Sequence, residues 1–409
     1  MTLILVASTT VYANGFFDLL ELSKTRDPRL NKAQTLQDAQ ELTTSSRLLQ
    51  FLPNLSLSSS RSESSLRDGH INTSGLTSNF NIFKGGQDLG SYRAARFNLL
   101  QRQQNTLLTE LTIEQDITLA LLNYLKLQKQ KELQDRILEL AKENLSITQI
   151  RFNQGRVPEA DLLKAKVELN NRSEELTNLQ TEWELASQDI QRWVMESDLK
   201  KHTTWPWPEI KSNYFLNKSA NLENISENHP QIASLAFQTQ VADQLANSLW
   251  GNLLPNLDLQ FERNRVDSSL TRSGRYWESS ILLLLKIPLF DGLRDVAGLR
   301  EQRAQARALA YETQFAKTEL EANKKALQQT VILSLEALKR RQQTTALAQN
   351  LYQQSLKRYK AGLTSYADLS LDMDRWIRSE SLLIQGHWQA SGQLARWCLI
   401  NALKMRQCM

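Results

Sequence analysis

The chain has 409 residues, with 49 Lys plus Arg against 44 Asp plus Glu, only 14 Gly and 8 Pro, and a mean hydropathy of -0.44. Such a composition, dominated by Gln, Leu, Ala, Glu, Lys and Arg, suits long two-faced helices with much wet surface rather than a compact globule. The formal charge of +5 comes from interspersed residues with no block of five like charges, and purely apolar runs reach only five residues. The charge therefore argues weakly, if at all, for nucleic acid, and no run approaches the about 20 apolar residues that a membrane-spanning helix needs.

From the N-terminus, residues 1–13 are an expected signal peptide. A short apolar stretch leads to Val11-Tyr12-Ala13, whose small residues at the last and third-last positions suit cleavage after Ala13, although no basic residue precedes it. Two structural repeats follow. The first, residues 14–197, reads as a helix, a β-hairpin over 51–83, a long helix over 87–153 and a helix over 158–197. Residues 198–216 form a linker whose Pro- and Trp-rich part, His202 to Asn213, is expected to make an equatorial side feature. The second repeat, residues 217–409, reads as a helix over 222–250, a hairpin over 254–290, a long helix over 293–360 and a helix over 365–401.

The duplication is legible residue by residue. "FLPNLSLSS" from Phe51 is answered by "LLPNLDLQF" from Leu253, and Pro28 and Pro53 match Pro230 and Pro255 at an offset of 202. Phe83-Lys84-Gly85 then matches Phe290-Asp291-Gly292 at an offset of 207, which holds through Arg151-Phe152 with Arg358-Tyr359, Gly155 with Gly362, and Asp161-Leu162 with Asp368-Leu369. A stretch that tolerates no insertion over that distance behaves as a continuous helix.

Strand and helix types follow from period. Leu55 and Leu57 alternate with Ser56 and Ser58, Ile281 to Leu289 alternate again, and Asp68-Gly69 marks a hairpin turn. Pro is absent from the long segments, each of which gives a helix of about 100 Å at about 1.5 Å per residue. Ile113, Ile117, Ala120, Tyr124 and Leu127 step by four and three, with Leu320, Leu327 and Val331 in equivalent places, which predicts a coiled-coil seam. Of the two cysteines, Cys398 is expected to be a small buried apolar group rather than a reactive thiol.

No catalytic or metal-ligating constellation is visible. His70, His202, His229 and His387 are scattered without ligand spacing, and no nucleophile elbow or phosphate loop occurs. An enzyme, a cofactor and a metal site are therefore not expected. Four half-wet strands cannot close a barrel alone, whereas three copies supply twelve, inside the range that closes in a membrane.

The duplicated "LPNL" strands, the Gly-marked strand ends, and "RFNQGRVPEADLL" paired with "RYKAGLTSYADLS" resemble the TolC-like outer-membrane efflux protein family over essentially the whole mature chain. The resemblance implies a mainly α fold with a membrane β-barrel contribution: a homotrimer with a twelve-stranded barrel, four strands per chain, on a long α-helical barrel. It implies an outer-membrane exit duct of a tripartite efflux or type I secretion system, most of it periplasmic, working with a periplasmic adaptor and an inner-membrane pump.

Carried over by position, Arg151, Phe152, Gly155 and Val157 with Arg358, Gly362 and Leu363 resemble the helical tips that dock the adaptor, and Asp161, Tyr359, Asp368 and Asp372 lie at the entrance constriction. Asp368 would form a ring of three carboxylates, and Asp161 with Tyr359 would hold the entrance shut. Simpler roles stand beside these. Gly155 and Gly362 suit helix ends, Ser365-x-x-Asp368 is a capping-box pattern, and Asp161 follows Pro158 in a first helical turn. The chain departs from the family where a second acidic ring would stand, which is Leu371, with Asp372 about 100° further round the helix, and where a basic gate partner is replaced by Thr364. The alternative from another class is a soluble coiled-coil scaffold.

Overall fold

A computed structural model describes residues 16–64, 69–194, 228–268 and 274–408. The expected signal peptide, the linker over 198–216 with His202, and the first residues of the helix expected over 222–250 lie outside the described residues.

In chain order the elements are α1 (Phe16–Arg26), α2 (Pro28–Leu49), β1 (Asn54–Ser64), β2 (Gly69–Lys84), α3 (Gln87–Asn153), α4 (Glu159–Val194), α5 (Pro230–Trp250), β3 (Asn256–Ser268), β4 (Arg275–Lys286), α6 (Arg294–Lys360), α7 (Tyr366–Ile400) and α8 (Met405–Cys408). The first helix is split, because Asp27 accepts the Arg29 N–H at 2.8 Å and Pro28 takes the first helical position of α2, where its missing N–H costs nothing. β4 stops at Lys286 rather than continuing to 290, as Pro288 has no N–H to give a ladder.

The chain forms two compact units, and neither is one of the sequence repeats. Among the described residues, one draws on 16–31, 108–194, 228–229 and 319–408, the other on 32–64, 69–107, 230–268 and 274–318. Each mixes segments of both copies.

The second unit carries a four-stranded antiparallel sheet in the order β1-β2-β3-β4, which leaves β1 and β4 as edges. Its register sorts the side chains. Leu55, Ser78, Phe261 and Ile281 lie opposite one another, as do Leu57, Leu76, Arg263 and Ser279. A bulge between Asn81 and Phe83 lets Phe80 and Phe83 both join this face, opposite Leu259 and Leu257. The result is an apolar face left open, with Leu57 82% and Ile281 74% exposed. Ser56, Thr77, Glu262 and Ser280 share the other, polar face. In the same unit α5 approaches α3 closely at Gly90, where a Cβ would lie 2.9 Å from Ser248.

The first unit is a helical bundle. Phe16, Leu20, Ile113, Ile117, Leu121, Leu125, Val331, Leu394 and Trp397 form its main apolar cluster. On α6 the buried residues Val331, Leu338, Thr345, Tyr352 and Tyr359 recur every seventh position, a narrow coiled-coil seam. α3 is buried more widely than its predicted stripe. Leu121, Leu122 and Leu125 are as buried as Ile113 and Ile117, while Ala120 is only half-buried. Cys398 is buried as expected, but it is bonded to Cys408 rather than a free thiol.

Candidate functional site

The turns joining α3 to α4 and α6 to α7 are copies of one device. Gly155 (φ 68°) donates to the Phe152 carbonyl at 2.8 Å and Arg156 to the Arg151 carbonyl at 2.9 Å. Gly362 (φ 79°) donates to the Tyr359 carbonyl at 2.9 Å and Leu363 to the Arg358 carbonyl at 2.9 Å. These paired bonds around a left-handed residue are a Schellman motif, which satisfies the last helical carbonyls and which a Cβ would strain. Beyond each turn, Phe152 and Val157 are half-buried, Arg358 is exposed, and Leu363 is 70% exposed.

The copies then differ. Ser365 caps α7 by accepting the Asp368 N–H at 3.2 Å, and Asp368 Oδ2 accepts the Ser365 hydroxyl at 2.7 Å, the Thr364 hydroxyl at 3.0 Å and the Ser365 N–H at 3.4 Å. These donors, the Ser365 hydroxyl first, hold the Asp368 carboxyl below the ordinary carboxylate range. Thr364 thus serves the cap. In the first copy Asp161 N–H bonds to the Pro158 carbonyl at 3.1 Å and its carboxylate pairs with Lys164 at 3.8 Å.

Tyr359 is fully buried. Its hydroxyl lies 2.9 Å from Thr148 Oγ1, and Thr148 donates its own proton to the Asn144 carbonyl at 2.8 Å, so Tyr359 is the donor. Arg151 stacks on the Tyr359 ring at 4.6 Å and donates to the Tyr359 carbonyl at 2.8 Å. Tyr359 is held by Thr148 and Arg151 of α3, while Asp161 is engaged on its own helix. Arg151 is folded back onto α6. Lys360 paired with Glu143 at 2.9 Å adds a third tie between the two long helices.

Asp372 is buried, bonded to the Ser355 hydroxyl on α6 and to Arg375 at 2.9 Å. It does not join Asp368, which is exposed. Leu371 opens instead onto a groove of about 540 Å³ between α4 and α7, with Leu163, Val167 and Tyr366.

A cluster that sequence reasoning missed ties the same two helices. Arg172 of α4 binds Glu168 at 2.7 Å, Glu175 at 2.9 Å and, across to α7, Asp374 at 2.5 Å. The i±3 and i±4 spacing of the two glutamates was a signal for local pairing. Nothing in the sequence pointed to Asp374.

Paired helical turns, long seams and a sheet greasy on one face and wet on the other define a channel-forming architecture. A family model described as outer membrane efflux protein matches residues 19–194 and 221–373, and the chain belongs to that family. It is accordingly an outer-membrane efflux channel and not an enzyme. Its fold is similar to that of CusC, a protein that forms a transmembrane channel, with 13% identity, a TM-score of 0.82, and 95% of this chain and 92% of that one covered. It is also similar to the outer membrane protein VceC of Vibrio cholerae (16%, 0.81, 94% and 95%) and to the outer membrane channel CmeC of Campylobacter jejuni (14%, 0.80, 94% and 85%). No curated protein matches the chain.

Proposed function

We propose that three copies of the chain close one twelve-stranded barrel in the outer membrane and serve as the exit duct of a tripartite efflux or type I secretion system. The observation that carries this reading is the sheet. Its open apolar face would be unfavourable in water and suits contact with lipid, and its two unpaired edges are a liability unless another copy pairs with them. From the row of Leu285 to the row of Ser279 the apolar face runs six residues along β4, about 20 Å at about 3.4 Å per residue, comparable to the apolar band of an outer-membrane barrel.

The helical bundle then stands in the periplasm, reached by export through the N-terminal segment. The turn residues Phe152, Gly155, Val157, Arg358, Gly362 and Leu363 meet a periplasmic adaptor, which couples the duct to an inner-membrane pump. Arg151 supports that surface from behind by holding Tyr359. One Asp368 from each copy makes a ring of exposed carboxylates that concentrates cations in the entrance. Leu371 in place of a second acid leaves that ring single. The pump partner selects the cargo, whether drug, metal or protein. Family membership sets the scaffold alternative aside.

Detergent-extracted protein in a planar bilayer tests the proposal, with crosslinking for trimers alongside. Discrete cation-selective steps that lose selectivity in Asp368→Ala are the expected result. A non-trimeric protein that gives no steps overturns it.

A further inference from the structure

The C-terminal turn closes over a buried charge. α7 ends at Ile400 and the chain reverses at Ala402, whose φ is 50°, with Ala402 N–H on the Leu399 carbonyl and Leu403 N–H on the Cys398 carbonyl, both at 2.9 Å. That reversal brings α8 back along α7, where Cys408 is bonded to Cys398. Cys398, Met405 and Cys408 are all 0% exposed and share an apolar cluster with Phe16 and Leu20 of α1.

Met405 N–H donates to Glu114 Oε2 at 3.2 Å, and Glu114 Oε1 is 3.1 Å from Lys24 Nζ. Lys24 also meets Glu21 at 2.8 Å and Glu110 at 3.1 Å, and Lys404 lies 3.9 Å from Glu110. Burial opposes the Lys24 charge, and the three carboxylates outweigh it, so its pKa is raised. The N-terminal helix, the middle of α3 and the C-terminal turn thus meet at one ion pair. A four-residue helix is far below the length that stands by itself in water, so α8 stays in place only through what fastens it.

We propose that the Cys398–Cys408 disulfide is a redox-controlled clasp that locks the C-terminal turn over the Lys24–Glu114 ion pair, and that reducing it opens the turn and exposes Lys24. The bond forms by exchange. The Cys408 thiolate attacks the disulfide of a protein thiol oxidant, and the Cys398 thiolate displaces the oxidant from the mixed disulfide. Two electrons and two protons pass to the oxidant, which leaves as its dithiol. A dithiol reductant reverses both steps. The chain has only these two cysteines, so no other internal pairing competes. An oxidising compartment keeps the clasp closed.

The test uses full-length protein purified without reductant. Alkylation under denaturing conditions is followed by mass, and hydrogen exchange at the Met405 amide and acetylation of Lys24 are followed under native conditions, before and after phosphine reduction. Expected are no alkyl groups before reduction and two after, with Met405 exchange faster by about tenfold or more and Lys24 acetylation rising in parallel. Amides of the α6 seam stay unchanged, and Cys398→Ala with Cys408→Ala behaves as reduced protein. Alkylation without reductant, or exchange and acetylation that ignore reduction, overturns the clasp. The reduced wild type decides alone if the double variant does not fold. Neither result depends on whether the protein conducts.

Discussion

Arg151 of α3 and Tyr359 of α6 are fastened twice: the guanidinium stacks on the Tyr359 ring at 4.6 Å and bonds to the Tyr359 carbonyl at 2.8 Å. The contact joins the last turns of equivalent helices from the two repeats. Removing it in Arg151→Ala should cost about 1–3 kcal/mol, from a charge-assisted bond and a cation–π contact. Urea unfolding of the extracted protein checks this. Arg151→Lys should recover only part, since an ammonium lacks the planar group that stacks and donates together. Equal stability of the alanine and lysine variants would remove the stacking argument.

Ser365→Ala removes an N-cap and should destabilise α7 by about 1 kcal/mol. Asp368 adds a pH signature. Its folded pKa lies below the ordinary value because Ser365 and Thr364 donate to the ionised form. A depressed carboxyl contributes stability that is present above its unfolded pKa, about 3.9, and is lost as pH falls through the folded value. The melting difference between wild type and Asp368→Asn should therefore be flat near neutral pH and vanish in strong acid. A difference that persists below both values would show that the cap acts through something other than charge.

The α6 seam predicts a contrast between two leucines. Leu338 is buried, whereas Leu347 is 71% exposed. Leu338→Ala should cost about 2–5 kcal/mol, as a buried truncation that leaves a cavity. Leu347→Ala should change the stability of a single chain by less than about 0.5 kcal/mol. If Leu347→Ala instead weakens the crosslinked trimer, that face of α6 lies between copies.

The two faces of the sheet should answer an arginine differently. Ile281→Arg places a charge on the open apolar face, at a cost of about 2–4 kcal/mol if that position meets the bilayer midplane. Ser280→Arg, one residue earlier, falls on the polar face opposite Glu262. Insertion yield into lipid vesicles should drop for the first and hold for the second. Equal yields would argue against lipid on the apolar face.

Much of this was legible in one sequence. The 207-residue offset places Gly155 and Gly362 in equivalent turns of the two copies, and both are left-handed helix ends with matching hydrogen bonds. Strand alternation anticipated the two-faced sheet, and the Ser365-x-x-Asp368 spacing anticipated the cap. These features depend on residues at most a few positions apart, whose geometry the backbone period sets.

Partners far apart in the chain were not legible. Tyr359 bonds to Thr148, 211 residues away, and Arg172 reaches Asp374, 202 residues away. The sequence alone determined the duplication, the type of each element and the chemistry of its turns, because period and capping are local. Tertiary structure decided which face of each helix meets which neighbour, and hence where Arg151, Tyr359, Asp372 and the two cysteines find their partners. Successive side chains on a helix point about 100° apart, so a small rotation set by distant packing exchanges one partner for another.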